Sequence, residues 1–252
     1  MQWSDYAIIL SVWPHGENGV IASVLSENHG VWSGFVYGGM SRQNAPCLER
    51  GTLVHCHWQG NSETQLGRFS FEMENPYASH FMINRLKLQA MQSLCALCHG
   101  ALPNKEPQSA LYQTSILLFD YMSAEEDALL WLQHYIRWEV IFLAQIGFAL
   151  NLEECAETKS TQNLTHVSPK SGHAVCAQSA APYHDRLLVL PWFLNRILRE
   201  EGAHALTHTD IQNGLKLTRF FLERRAFQQH SQGMPQERYD LEVIAKSTLS
   251  QT

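Results

Sequence analysis

Ile8-Ile9-Leu10, Val20-Ile21-Ala22 and Phe35-Val36-Tyr37 are three apolar runs of the first 40 residues, and they are separated by His15-Gly16-Glu17-Asn18-Gly19 and Glu27-Asn28-His29-Gly30. Glycine and asparagine tolerate the positive φ angles of tight turns, so this spacing describes strands joined by hairpins. The same pattern continues to residue 75. Strands are expected over 6–13, 20–26, 31–37, 52–58 and 66–72, each rich in β-branched or aromatic residues and bounded by Gly, Asn or Pro. Five short strands with turns between them suit a small Greek-key barrel of the OB type.

After Asn75-Pro76 the period changes from two to that of a helix. Leu111, Ser115, Leu118, Phe119 and Met122 fall on one helical face, as do Leu129, Leu132, Ile136, Val140 and Leu143. Ser123 and Glu126 are spaced as a capping box for the second of these helices. An earlier helix is expected over 77–101, ending before Pro103. Later helices are expected over 192–201 and 209–229, with Thr209 as N-cap of the last. The polar, aperiodic stretch 153–183 is long for a structureless loop, so local order is expected there. The fold class is therefore α+β: an OB-type five-stranded β-barrel over 1–75, then an all-α helical domain over 76–252 that includes the irregular loop 153–183.

With 252 residues, 45% apolar and 17% charged, the chain has the composition of a globular protein with a full core. No apolar run is long enough to span a bilayer, and no membrane association is expected. Met1-Gln2-Trp3-Ser4-Asp5 lacks the basic start of an export signal, so a cytoplasmic location is expected. The six cysteines have no framework spacing and are read as reduced thiols. The formal net charge of −6 excludes a chain-wide electrostatic grip on nucleic acid and leaves only local patches.

Several motifs admit a chemical reading. Cys95-Ala96-Leu97-Cys98-His99 spells the c-type haem attachment pattern. It lies within an amphipathic helical run, where small thiols pack as apolar residues, so no haem is expected. Cys155 and Cys176 flank the irregular loop. The positions that would complete two Cys-x-x-Cys pairs hold Thr158 and Ser179, and His166 and His173 are irregularly spaced, so zinc is not expected. No nucleophile elbow, phosphate-binding loop or zincin helix is present, and the chain is not read as an enzyme.

An OB barrel can bind single strands by stacking bases on aromatic rings beside a basic groove. Trp13, Trp32, Tyr37 and Trp58 are candidate platforms. The barrel segment, however, carries three arginines (Arg42, Arg50, Arg68) against seven carboxylates, so its electrostatic hold on DNA is expected to be weak and salt-sensitive. Further on, Arg196, Arg199, Lys216, Arg219, Arg224 and Arg225 lie near two late helices, and Arg137 precedes Trp138 on a long apolar one. A basic rim beside an apolar groove suits an acidic peptide with an apolar end.

Taken in order, His15-Gly16-Glu17, Val24-Leu25-Ser26-Glu27-Asn28-His29-Gly30, Gly38-Gly39-Met40-Ser41-Arg42, Arg137-Trp138-Glu139-Val140, Ile146-Gly147-Phe148, Val167-Ser168-Pro169-Lys170-Ser171-Gly172 and Arg219-Phe220-Phe221-Leu222-Glu223-Arg224 resemble the RecO family of bacterial recombination mediators, the alphaproteobacterial members most. The resemblance runs over nearly the whole chain and rests on order and spacing. It implies an OB barrel, a helical domain and a loop that binds zinc through four cysteines in many members. It also implies a role in repair of DNA damage by the RecF pathway: binding single- and double-stranded DNA, annealing complementary strands, and with RecR loading RecA onto strands coated by single-strand binding protein (SSB). The family recognises the acidic, apolar C-terminal tail of SSB through the helical domain.

Carried over by residue, Arg42 matches the basic segment after the third strand; Arg50, Arg68, Trp32 and Tyr37, read from the barrel's own charges and aromatics, complete the expected DNA-binding set. Arg137, Trp138, Val140 and Ile141 are the expected SSB-tail set. Cys155 and Cys176 match two metal positions of a degenerate loop. A second reading is an adaptor that binds SSB and RecR with little direct DNA contact.

Overall fold

A computed structural model describes residues 1–62, 64–195 and 205–250. Five strands, β1 (Gln2–His15), β2 (Gly19–Ser26), β3 (Gly30–Val36), β4 (Leu53–Gln59) and β5 (Arg68–Asn75), close on one another in the order β1-β2-β3-β5-β4. The long β1 serves two neighbours. Its first half pairs with β4 (Trp3 opposite Trp58) and its second half with β2, with a register shift between Ile9 and Ser11 where the strand bends. A single parallel pairing, Phe35 with Arg68, joins β3 to β5 and closes the sheet.

Alternation along β4 turns Val54, Cys56 and Trp58 inward, where they meet Ala7, Ile9, Val24, Trp32 and Phe69. Burying each large apolar side chain contributes roughly 1.5–3 kcal/mol, so this cluster is what holds the barrel closed. The β2–β3 turn is fixed separately. Asp5 accepts hydrogen bonds from the Asn28 amide (2.8 Å), the Asn28 side chain (3.0 Å) and the Ser26 hydroxyl, and lies 3.3 Å from His29 Nδ1. Burial pushes the Asp5 carboxyl up, but these bonds outweigh it and hold the group below the usual carboxylate range. Gly30 in this turn has φ +70, and a Cβ there would strike the Glu106 carbonyl. Only glycine permits that approach.

Helices α1 (Tyr77–Phe81), α2 (Arg85–Ala101) and α3 (Ser109–Ala124) follow. The expected single helix over 77–101 is two helices, because Asn84 caps α2 by accepting from the Leu86 and Lys87 amides, both at 3.1 Å. The barrel strands end at Asn75, yet the compact unit that contains them comprises Met1–Ser123 and Pro235–Leu241. In that unit α2 lies against β1 and β2. The loop after α2 pairs with β3 through the Lys105 amide and the Val31 carbonyl (2.9 Å).

The second unit comprises Ala124–Met234 and Glu242–Thr252. Its first helix, α4 (Ala128–Gln145), is capped by Asp127, which accepts from the Leu129 amide at 2.8 Å. The expected cap, Ser123, instead donates to the Phe119 carbonyl within α3. The 153–183 stretch is ordered: β6 (Leu164–Val167) pairs with β7 (Ala174–Cys176) and β8 (Leu188–Val189), and the short α5 (Ala177–Ala180) follows β7. The region after the barrel is therefore not all-α, since strand pairing satisfies the loop's backbone groups.

Of the helix expected over 192–201, Trp192–Leu194 form one 3-10 turn, and 196–201 lie outside the described residues. Helix α6 (His208–Phe221) starts at Thr207, which forms a capping box with Asp210, not at Thr209. It runs into a π-helical turn, Leu222–Ala226. Helix α7 (Gln236–Leu249) lies beyond the last helix read from the sequence. Gly214 of α6 sits where a Cβ would come within 2.9 Å of Ile136, so α4 and α6 approach closely. At this seam the buried Glu139 accepts from the Thr218 hydroxyl at 2.5 Å.

Candidate functional site

On α4, Arg137, Val140, Ile141 and Ala144 follow the spacing of one helical face. Val140, Ile141 and Ala144 line an open cavity of about 410 Å³, completed by Leu150, Asn151, Leu152, Glu153 and Leu194. Arg137 stands one turn before Val140 and Ile141. It donates from Nε (3.2 Å) and Nη2 (2.9 Å) to the Phe193 carbonyl, next in chain to Leu194. The forked bond fixes the planar guanidinium against the segment that supplies Leu194, while the cavity lining mixes aliphatic residues with the polar Asn151 and Glu153. Trp138 takes no part: it is buried and stacks on Phe142 at 5.3 Å.

On the barrel, Tyr37 is 61% exposed and the guanidinium of Arg68 lies 4.9 Å from its ring centre. Both line a cavity of about 380 Å³. A second, of about 560 Å³, shares Arg68 and Gln59 with it and is lined further by Trp3, His57 and Ser70. A ring beside a guanidinium offers one base a stacking surface and its phosphate a cation. Arg42 is exposed in the turn after Tyr37, a turn held by the Asn44 side chain donating to the Tyr37 and Gly38 carbonyls.

In the irregular loop, the four positions Cys155, Thr158, Cys176 and Ser179 gather. The Cys176 amide donates to Cys155 Sγ (3.3 Å), and Cys176 Sγ lies 3.7 Å from the Thr158 hydroxyl and 3.6 Å from that of Ser179. Burial raises the Cys155 thiol, but hydrogen bonds from Thr158 and from the Cys176 and Glu157 amides outweigh it and bring it down to about 6. Structural zinc needs a closed set of four thiolate or imidazole ligands, and two of these positions are hydroxyls that keep their protons. Among the described residues, neither His166 nor His173 joins the two cysteines in a set of three ligands. The donor set does not fit zinc; the two sulfurs are engaged instead in hydrogen bonds with an amide and with hydroxyls.

Residues 1–77 match the family described as recombination protein O, N terminal, and residues 84–232 match recombination protein O, C terminal. The chain belongs to the RecO family. Among its curated relatives, the DNA repair protein RecO of Rhodospirillum centenum is 40% identical over 229 residues, covering 90% of this chain and 88% of the relative. That of Rhodospirillum rubrum is 37% identical over 240 residues, covering 94% of each. That of Ruegeria sp. is 39% identical over 225 residues, covering 89% of this chain and 90% of the relative.

Against the RecO-based expectations, the structure brings Tyr37 and Arg68 together and leaves Arg42 exposed, but it buries one DNA-binding candidate, Trp32, and pairs another, Arg50, with a carboxylate. Trp32 is 4% exposed, edge-on to Trp3 and Trp58 in the barrel core, and its ring face is covered by Lys105 at 4.7 Å. Arg50 is held by Glu237 at 2.6 Å. Trp58 is likewise buried, whereas Trp13 is partly exposed. Of the tail set, Arg137, Val140 and Ile141 share a face, and Trp138 belongs to the core. Among the late basic residues, Arg219 pairs with Glu223 and Glu242, while Arg224 and Arg225 lie over Phe220 and Phe221. Arg196 and Arg199 fall outside the described residues. Cys95 and Cys98 are buried within α2, and burial pushes the Cys95 thiol up to about 12. Leu150, Leu152 and Leu194 were not read as functional, because the cavity is made by chain segments that sequence spacing does not connect. Among the described residues no helix is long and apolar enough to cross a membrane.

Proposed function

We propose that this chain is a non-enzymatic mediator of recombinational DNA repair, acting in the cytoplasm within the RecF pathway. In this reading it binds single- and double-stranded DNA, anneals complementary strands, engages RecR and the C-terminal tail of SSB, and helps to load RecA. The relatives' description as DNA repair proteins supports the process. The strand order with its parallel β3–β5 closure supports reading the barrel as OB type. The loop is read as a zinc-finger remnant that folds without metal.

The observation that carries the proposal is the aliphatic wall of the α4 cavity, Val140 and Ile141, with the Arg137 guanidinium fixed one helical turn before it, which suits an acidic peptide that ends in apolar side chains. Holding both an SSB tail and nearby DNA raises the effective concentration of the mediator at a coated strand. The test is titration of the full chain into a fluorescent peptide of the SSB tail. Arg137→Ala is expected to weaken binding by about tenfold or more, the cost of a lost charge-assisted bond, with an unchanged far-ultraviolet spectrum. Unchanged affinity removes Arg137 from the site.

Burial of Trp32 and pairing of Arg50 favour a second reading, an adaptor that binds SSB and RecR with little direct DNA contact. A salt titration of single-strand binding separates the two. Absence of binding at low salt, with tail binding intact, selects the adaptor.

A further inference from the structure

We propose that His55, His57 and Glu72 form a binding site for a borderline divalent transition-metal ion, represented by zinc, on the outer face of the barrel. Successive residues of a strand point to opposite faces, so the inward Val54, Cys56 and Trp58 leave His55 and His57 side by side on the outside. Their ring centres are 4.6 Å apart. Glu72 is the register partner of His55 on β5. One ligand atom from each of the three lies within 4.8 Å of the others. Ligands at about 2.1 Å from a tetrahedral ion stand about 3.4 Å apart, so rotamer adjustment closes the set without moving the backbone. Strands paired on both sides give it a stiff scaffold: β4 is hydrogen-bonded to β1 and to β5.

A partner for one ligand is already in place. Ser4 is the register partner of His57 on β1, and its hydroxyl lies 2.6 Å from His57 Nδ1. When Nδ1 donates its proton to Ser4, Nε2 carries the lone pair that a metal needs, and the ring is held in orientation. Two imidazoles and one carboxylate suit zinc, nickel or copper rather than the all-oxygen preference of magnesium or calcium. The intervening thiol, Cys56, points into the barrel core on the opposite face of β4, so it is not placed to join the set. Three protein ligands leave a coordination position for water, unlike the closed four-ligand set of a structural zinc loop.

The test uses the full chain freed of metal by chelation. Zinc titrated against a chromophoric chelator is expected to bind at one equivalent. His55→Ala and His57→Ala are expected to weaken it about 100-fold and Ser4→Ala about tenfold, the usual range for perturbing a site and its outer partners. Cys155→Ser with Cys176→Ser is expected to leave the affinity unchanged. Cobalt is expected to give weak visible bands without an intense thiolate charge-transfer band. Should a histidine variant fail to fold, Glu72→Gln and the cobalt spectrum of the unaltered chain decide the question. Binding that survives loss of both histidines, a thiolate band, or no binding at micromolar zinc overturns the site.

Discussion

On the barrel, Trp3, Trp32, Trp58 and Phe69 are packed against one another, and the exposed rings are Tyr6, Trp13 and Tyr37, of which Tyr37 lies beside Arg68. On α4 the division is reversed. Trp131, Trp138 and Phe142 fill the core, while Val140 and Ile141 stay half-buried beside a cavity with a fixed arginine one turn away. The first region spends most of its tryptophans on closing a small sheet and keeps one guanidinium, that of Arg68, beside an exposed ring. The second has a helix long enough to bury one face and leave part of another uncovered. Binding on the barrel should therefore be thin, electrostatic and sensitive to salt, whereas binding on α4 should draw on apolar burial and persist as salt rises.

The largest effect expected on either side is structural. Trp58→Ala removes a side chain that is fully buried and whose indole donates to the Leu66 carbonyl at 3.2 Å. A loss of about 3–5 kcal/mol is expected, read as a shift of the urea midpoint. A loss below about 1 kcal/mol would mean that Trp58 is not a keystone of the barrel, and the contrast between the two regions would collapse.

Next comes the β2–β3 turn. Asp5→Ala is expected to cost about 1–3 kcal/mol, because it orphans the Asn28 amide and the Ser26 hydroxyl. The pH dependence has a defined sign. A folded-state pKa below the unfolded value makes the stabilisation fully present above the ordinary carboxylate range, and it is lost as pH falls through the depressed folded value. Urea midpoints measured from neutral to acid pH should therefore fall less steeply in Asp5→Ala than in the unaltered chain. Parallel curves would show that the Asp5 charge does not hold the turn.

On α4, Ile141→Asn places an uncharged polar group in the cavity wall and is expected to weaken binding of an SSB-tail peptide, if the proposed site is right, by about tenfold, close to 1.4 kcal/mol. The loss should be nearly the same at low and at moderate salt, since apolar contact is what is removed. A deficit that vanishes as salt rises would show that the cavity acts through charge alone.

The barrel was legible because its strands alternate, and alternation is local: the runs at Ile8, Val20 and Phe35 each carry their own turn residues. The turn chemistry that misled was equally local. Ser123 and Thr209 have the identity of caps, but Asp127 and Thr207 occupy the positions where the backbone leaves the helix. The α4 set of Arg137, Val140 and Ile141 comes from the family resemblance, since the helical period alone groups Val140 with Leu132, Ile136 and Leu143. The opposite wall of the cavity, Leu150, Leu152 and Leu194, was not legible, because the loop and the turn at Trp192–Leu194 meet the helix only in three dimensions. Trp32 was misread because composition does not say which side of a strand faces inward. The His-x-His of β4 was readable by the same period of two, but Glu72 joins it only through the register of β4 with β5.

The smallest effect belongs to Arg68. It is exposed, it faces Tyr37, and it lines both cavities on that side of the barrel. If it meets one phosphate of a bound single strand, Arg68→Ala should lower the slope of log affinity against log salt by about 0.7 and leave stability within about 0.5 kcal/mol of the unaltered chain. Tyr37→Ala should instead shift affinity with little change of slope, because a stacked base releases no counterion. An unchanged slope in Arg68→Ala, alongside measurable DNA binding, would place the phosphate contacts elsewhere, and the barrel would then be a scaffold for the rest of the chain rather than a surface in its own right.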